Sequence, residues 1–295
     1  MTPPLSVLRL ACGCKVNLFL RVGHKRPDGY HSLKSLFLPL PEPRDVLEVT
    51  VSGLHSSRRH LRVQCAIPGI HPENNTLTKA YDLYARAVEP VPSLSVTLHK
   101  GIPQGSGLGG GSSDAACLLR FLREWTVRNE GAGLSDEELL ALGAQVGADV
   151  PFFLLNRPAL AQGIGEILDP VPFPFAGMCL ILVCPDLHIP TAWAFALLDA
   201  ARPEPASGCL TRNCWQDTTP LAQDMLYGND FEQVIFPVFP QLERLCVELL
   251  RGGAAVARMS GTGASVFGLF PEGDAAANIA EKLRSAGFAV YAHAL

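Results

Sequence analysis

Alternating apolar and polar positions mark the first stretches of the chain as extended. Val7–Leu10 and Val16–Val22 read as early strands, with Val46–Val51, Leu61–Cys65 and Leu94–His99 as later ones. Asn75–Val88 changes period: Leu77, Ala80, Tyr81, Tyr84 and Val88 recur at the spacing of a helical face. Helices are also expected from about Ser113 to Trp125 and from Ser135 to about Val146, the second opened by a Ser135–Glu138 capping box. Further on, Cys179–Cys184 reads as a strand and Thr191–Ala200 as a helix. Phe239–Arg251, Ala254–Arg258, Ala264–Phe270, Asp274–Ala286 and Ala289–His293 then alternate helix and strand. Lys25–Gly29 is a turn by its chemistry, since Pro27 presets one dihedral and Gly29 supplies positive φ. The proline-rich run Asp169–Phe175 interrupts the pattern and is the expected border between domains 1–168 and 169–295. The mixture is that of an α/β chain without an internal repeat.

Composition narrows the function classes. A chain of 295 residues suits two domains of roughly 150 each. With 48% apolar residues it carries enough material for a sizeable core. The 24 basic and 28 acidic residues leave a net charge of -4, with no basic stripe interleaved with aromatics, so nucleic acid is not the expected partner. No basic segment followed by an apolar run and a cleavage site opens the chain, so no signal peptide is expected. Apolar stretches such as Met178–Cys184 are too short to span a bilayer, and no membrane partner is expected. The nine cysteines form no C-x-x-C pair, and Cys12 and Cys14 lack zinc-finger partners. His55 and His60, beside Arg58 and Arg59, read as a solvated turn rather than half a metal site. Reduced thiols in a cytoplasmic protein with no protein-built metal site are the expectation.

The strongest chemical signal is the run Pro103, Gln104, Gly105, Ser106, Gly107, Leu108, Gly109, Gly110, Gly111, Ser112, Ser113, placed between a strand and a helix. Glycine lets the backbone approach a ligand closely, and successive N–H groups in such a loop make an anion-binding concavity. The helix that follows aims its N-terminal amides at the same anion, with Ser112, Ser113 and Asp114 as cap candidates. Gly105, Gly107 and Gly110 satisfy a dinucleotide fingerprint literally, but the required second strand ending in an acidic residue is missing. A Walker A loop needs a terminal Gly-Lys-Ser/Thr, and a nucleophile elbow needs Gly-x-Ser-x-Gly; neither is present. A loop that suits a polyphosphate is the reading left, with an ordinary flexible loop as its alternative.

Two charged residues sit in apolar surroundings. Asp149 falls in a glycine-containing turn expected between a helix and a strand, where it either caps the turn or serves as a base. Lys15, between Cys14 and Val16 near the junction of the two early strands, is either an edge-strand lysine or a functional cation. Together they would supply the base and the cation that phosphoryl transfer requires.

Three blocks occur in one order: Lys15-Val-Asn-Leu-Phe-Leu with Arg26-Pro-Asp-Gly-Tyr-His31, the Pro103–Asp114 loop, and Met259-Ser-Gly-Thr-Gly-Ala-Ser-Val-Phe267. In this the chain resembles the superfamily of galactokinase, homoserine kinase, mevalonate kinase and phosphomevalonate kinase. The resemblance also takes in Leu77–Ala80, Gly147–Pro151, Gly163–Glu166 and Asn229–Glu232. It implies a two-domain α/β (α+β) kinase fold, with an N-terminal domain carrying the ATP loop and a C-terminal ferredoxin-like domain. The first block implies a member acting on cytidine diphospho-methylerythritol, with ATP and Mg²⁺ as co-substrate and cofactor. Asp149 is then the base for the substrate's 2-hydroxyl, and Lys15 the cation that keeps it ionised. Tyr30 and His31 are implied to recognise the cytosine, with Phe37 as a second wall and Asn17 near the reacting centre. Asn75 is implied on the adenine side, with Pro103–Ser113 around the phosphates and the Gly261–Ala264 turn supporting that loop. Gly13-Cys14 replaces the family's usual Pro-Ala, and Ala201–Pro220 matches nothing. The rivals are another kinase of the superfamily and a non-catalytic nucleotide sensor; the cytosine residues argue against the first, Asp149 with Lys15 against the second. A monomer or a homodimer is equally compatible.

Overall fold

The computed structural model describes residues 7–53, 60–66, 75–129, 131–172, 175–202 and 228–295. His55 and nearly all of Ala201–Pro220 lie outside the described residues. Two compact units emerge: residues 1–14, 41–102 and 109–157 form the first, and residues 15–40, 103–108 and 158–295 the second. The expected border between 168 and 169 therefore lies inside the second unit, within a strand.

Strand β1 runs unbroken over Val7–Lys25, so the two early strands expected are one, and the Gly13-Cys14 substitution does not interrupt it. Strand β2, His31–Gly53, is longer than the sequence pattern showed, because residues 34–38 are buried in succession and only its second half alternates. In the first unit, Val46–Val51 of β2 pairs antiparallel with β4 (Ser93–His99), which pairs in parallel with β3 (Leu61–Cys65). Helices α1 (Thr76–Ala87), α2 (Gly110–Arg128), α3 (Asp136–Val146) and α4 (Val150–Leu155) complete this unit. Helix α1 buries the face expected of it, through Leu77, Ala80, Tyr81 and Tyr84. Tyr81 satisfies its buried hydroxyl by donating to the Pro92 carbonyl at 2.7 Å. The Ser135–Glu138 capping box of α3 is formed in both directions.

Two elements depart from expectation. Helix α2 starts three residues early, because Gly109 itself takes the N-cap position with φ of 75° and Ser112 and Ser113 donate their N–H groups to its carbonyl. No side chain caps this helix, so Ser112, Ser113 and Asp114 are interior residues. A left-handed backbone is open to glycine at little cost, so Gly109 rather than a serine takes the N-cap position. The segment after Asp149 is helix α4 rather than a strand. Its short apolar run fits either, and Pro151 suits a first helical turn.

In the second unit, Ser35–Phe37 of β2 pairs with β5 (Ala159–Gln162), which pairs with β6 (Ile167–Pro170). The proline-rich run thus begins as a strand. Strands β7 (Cys179–Cys184), β8 (Val256–Met259), β9 (Val266–Phe270) and β10 (Ala289–Ala294) make an antiparallel sheet in the order β10-β7-β9-β8. Helices α5 (Thr191–Ala201), α6 (Glu232–Ile235) and α7 (Pro240–Arg251) fall between β7 and β8, and α8 (Gly273–Ser285) between β9 and β10. Each β-α-β crossing and this strand order are those of a ferredoxin-like domain. Ile181 and Val183 of β7, Leu242 and Leu249 of α7 and Ile279 and Leu283 of α8 share one core with Leu20 and Val22 of β1. Among the described residues no helix is long and apolar enough to cross a membrane, and the cysteines are free thiols.

Candidate active site

Lys15 and Asn17 stand two residues apart on β1 and so share a face. Both are buried, and Lys15 Nζ donates to Asn17 Oδ1 at 2.6 Å. Asn17 is itself held: its Nδ2 donates to Ser35 Oγ at 2.8 Å, and Ser35 Oγ to the Phe19 carbonyl. Lys15 Nζ also lies 4.3 Å from the centroid of the Phe37 ring, within cation–π range. Phe37, expected as a wall for cytosine, is 1% exposed and covers this lysine.

The glycine-rich run is built in two halves. Pro103, Gln104, Gly105, Ser106, Gly107 and Leu108 belong to the second unit, where Leu108 accepts from the Lys15 backbone N–H at 3.0 Å. Gly107, with φ of 74°, packs so tightly that an added Cβ would stand 2.1 Å from the Ser260 carbonyl oxygen. Ser260 Oγ accepts from the Asn17 N–H at 3.2 Å and donates to the Gly107 carbonyl at 3.1 Å. The turn after β8 is thus the support for this half of the loop. Asn229 fixes the turn in its own right, donating through Nδ2 to the carbonyls of Met259 and Gly261 at 2.8 and 2.7 Å. Glu232 accepts from the Met259 N–H at 2.8 Å, and burial pushes its carboxyl up.

Gly109, Gly110, Gly111, Ser112 and Ser113 belong to the first unit and open α2, where the N–H groups of Gly110 and Gly111 precede the first helical hydrogen bonds, those of Ser112 and Ser113 to the Gly109 carbonyl. Asn75 caps α1, its Oδ1 accepting from the Thr78 N–H at 2.9 Å. Thr76 Oγ1 donates to the Gly111 carbonyl at 2.8 Å, so the start of α1 adjoins this half of the loop. Asp149 occupies the N-cap position of α4, and its side chain makes no capping bond to that helix.

The residues expected at the cytosine are both in the second unit. Tyr30 is 60% exposed at the end of the Arg26–Tyr30 turn, whereas His31 is buried at the start of β2. His31 Nδ1 lies 3.0 Å from the Gly23 carbonyl and Nε2 3.3 Å from Asp199 Oδ1. The Phe195 ring stacks on His31 with centroids 5.1 Å apart. Sequence reasoning missed Phe195 and Asp199: both lie on α5, where apolar periodicity gave no reason to single them out. It also missed His188, whose Nδ1 lies 3.0 Å from the Gln104 carbonyl.

Known proteins resemble this chain over most of its length. The family described as GHMP kinases N terminal domain matches residues 75–157, and GHMP kinases C terminal matches residues 208–289. The chain is 46% identical over 292 residues to the 4-diphosphocytidyl-2-C-methyl-D-erythritol kinase of Nitratidesulfovibrio vulgaris, covering 98% of this chain and 99% of that one. It is 39% identical over 257 residues to the kinase of the same name from Bacteroides fragilis, covering 87% and 89% of the two chains. A crystal structure of 4-(cytidine 5'-diphospho)-2C-methyl-D-erythritol kinase superposes with a TM-score of 0.75 at 33% identity, covering 97% of this chain and 98% of that one. Homoserine kinase from Cytophaga hutchinsonii shares the fold, with a TM-score of 0.70 at 17% identity over 99% and 95% of the two chains. The chain belongs to the GHMP kinases and, within them, to the 4-diphosphocytidyl-2-C-methyl-D-erythritol kinases.

Proposed function

We propose that this chain transfers the γ-phosphoryl group of ATP to the 2-hydroxyl of 4-diphosphocytidyl-2-C-methyl-D-erythritol, with Asp149 as the general base. The bond from the γ-phosphorus to the bridging oxygen breaks, a bond to the substrate oxygen forms, the hydroxyl proton passes to the Asp149 carboxylate, and ADP leaves. Little covalent chemistry falls to the protein, so positioning and charge stabilisation supply most of the rate. The nucleotide enters as MgATP, with the metal carried on its phosphates as part of the substrate. Pro103–Ser113 holds those phosphates, and Asn75 lies on the adenine side. Asn17 and Lys15 act at the reacting centre, and Tyr30 and His31 recognise the cytosine. The reaction is placed in the cytoplasm and the working unit is a monomer or homodimer.

One observation carries the reading: the backbone N–H of Lys15 is hydrogen-bonded to Leu108, inside the glycine-rich loop. A buried cation on the strand next to a phosphate-type loop is what a phosphotransferase needs and a mere nucleotide sensor does not. Purified protein assayed with MgATP against the cytidyl substrate, homoserine and mevalonate tests it. Turnover confined to the cytidyl substrate is expected. Phosphorylation of homoserine alone would overturn the substrate, and nucleotide binding without turnover of any acceptor would favour the sensor.

A further inference from the structure

Strand β4 ends at His99 and α2 begins at Gly110, so the glycine-rich loop hangs between two anchor points in the first unit. Both are tied to one buried ionic cluster that the mechanism does not use. Asp45 Oδ1, on β2, accepts from the backbone N–H groups of Gly101 and Ile102 at 2.7 and 2.8 Å and so fixes the exit from β4. Its other oxygen receives Lys100 Nζ, which also reaches Asp114 Oδ2 of α2 at 3.3 Å. The Lys100, Asp45 and Asp114 side chains are only 7, 0 and 3% exposed. A Cβ added at Gly110 would stand 3.1 Å from both Asp45 Oδ2 and Lys100 Nζ, so the first residue of α2 rests directly on the cluster. Holding the two ends of a loop lowers the entropy lost when the loop is ordered around a ligand.

We propose that Asp45, Lys100 and Asp114 are positioning residues for the nucleotide: the cluster clamps both ends of the glycine-rich loop, and its net charge sets how well the first turn of α2 accepts phosphate. The inference rests on reading that loop as the ATP site.

Two carboxylates against one ammonium leave one negative charge in excess, and a buried site tolerates this poorly. Asp114 Oδ1 has no hydrogen-bond partner among the described residues. Burial, countered in part by Lys100 and reinforced by Asp45, pushes the Asp114 carboxyl up to about 8. Burial alone would depress Lys100, but Asp114 and Asp45 outweigh it and the ammonium is held charged. At neutral pH the proton stays on Asp114 and the cluster is neutral overall. Above that range Asp114 ionises and adds a negative charge within the first turns of α2, where it opposes the phosphates that the helix terminus attracts. Among the described residues, two thiols and a guanidinium adjoin the cluster. Cys12 of β1 is pushed up, chiefly by its hydrogen bond with Cys117 and by burial. Cys117 is brought down to about 7, chiefly by its hydrogen bond with Cys12 and, against the effect of burial, by Arg120. A substitution confined to Asp114 separates its charge from theirs.

The test is calorimetric titration of the full chain with MgATP at pH 7 and pH 9, for wild type, Asp114→Asn, Lys100→Met and Lys100→Arg. The wild-type Kd is expected to rise about three- to tenfold between the two pH values. Asp114→Asn, which keeps the shape and cannot ionise, is expected to lose that rise. Lys100→Met should weaken ATP about tenfold or more at both pH values, with part of the loss restored in Lys100→Arg. An Asp114→Asn variant that keeps the wild-type alkaline rise would overturn the charge relation, even if Lys100→Met fails to fold. A folded Lys100→Met that binds ATP like wild type would overturn the clamp. If wild type binds no MgATP at either pH, the reading of the loop falls and this inference with it; wild-type binding with unaltered variants sinks the inference alone.

Discussion

Lys15 Nζ lies 2.6 Å from Asn17 Oδ1, on one face of β1, and neither side chain is more than 5% exposed. Asn17 faces two partners at once, since its amide also donates to Ser35. Asn17→Ala removes the acceptor on the lysine and the donor to the hydroxyl together. Loss of a buried hydrogen-bonding pair of this kind should cost about 1–3 kcal/mol of stability. Loss of lysine placement should lower kcat by about ten- to a hundredfold, as for a group mispositioned near the reacting atoms. Urea denaturation and steady-state kinetics on the same preparation check both. A variant with wild-type kcat would detach Asn17 from the chemistry.

Asp149 stands at the head of α4 without capping it. Asp149→Asn keeps the shape and removes the base, so kcat should fall by about 10²–10⁴ while MgATP still binds. Single-turnover kinetics alongside nucleotide titration makes the separation. Unchanged turnover would remove Asp149 from the mechanism.

Gly107 meets the Ser260 carbonyl with no room for a methyl group, in a left-handed backbone conformation. Gly107→Ala should therefore destabilise by about 1–3 kcal/mol and raise the KM for ATP. Ser260→Ala removes only the hydroxyl that links Asn17 to Gly107, and about 1–2 kcal/mol is expected. Thermal unfolding should rank the alanine at 107 as the more severe change; the reverse order would mean that the turn, not the loop, bears the contact.

Tyr30 is 60% exposed, so Tyr30→Ala should shift Tm very little. Its effect should fall on the KM for the cytidyl substrate, by about tenfold, with the KM for ATP unchanged. A matched rise in both constants would place Tyr30 outside cytosine recognition.

Asp114 also makes stability depend on pH, with a definite sign. Its carboxyl is raised to about 8 by burial, above the ordinary value of 3.8, so the folded chain binds this proton more tightly than the unfolded chain. The contribution is fully present below about pH 4 and is lost as pH rises towards 8. Asp114→Asn should flatten that part of the profile and gain most over wild type near pH 8. Chemical denaturation from pH 5 to 9 reads this directly; parallel curves for the two proteins would contradict it.

Helix α1, the α3 capping box and the C-terminal strands were legible because each depends on neighbours three or four residues away, or on a two-residue alternation. The glycine-rich loop was legible for the same local reason: a helix entry that bends through Gly109 carries the glycines with it. Local chemistry also singled out Lys15 and Asp149 as charged residues in apolar settings, whereas Asn17, Tyr30 and His31 were marked only by the resemblance.

The sequence by itself determined an α/β chain with a phosphate-type loop through periodicity and turn chemistry, and its three ordered blocks marked it as a kinase through their resemblance to a known superfamily. Tertiary structure alone decided what those residues touch. Asn17 meets Ser260 across 243 positions and Ser260 meets Gly107 across 153, separations over which no periodicity carries information. The same holds for α4, whose Val-Pro-Phe-Phe run suits a strand or a helix until its surroundings choose, and for Phe195 beside His31. Lys100 and Asp45 looked like ordinary charged residues in the sequence, and Asp114 only like a helix-cap candidate. Their significance comes from sharing one buried site, where the desolvation of a charge depends on every atom packed around it rather than on the residues beside it in the chain.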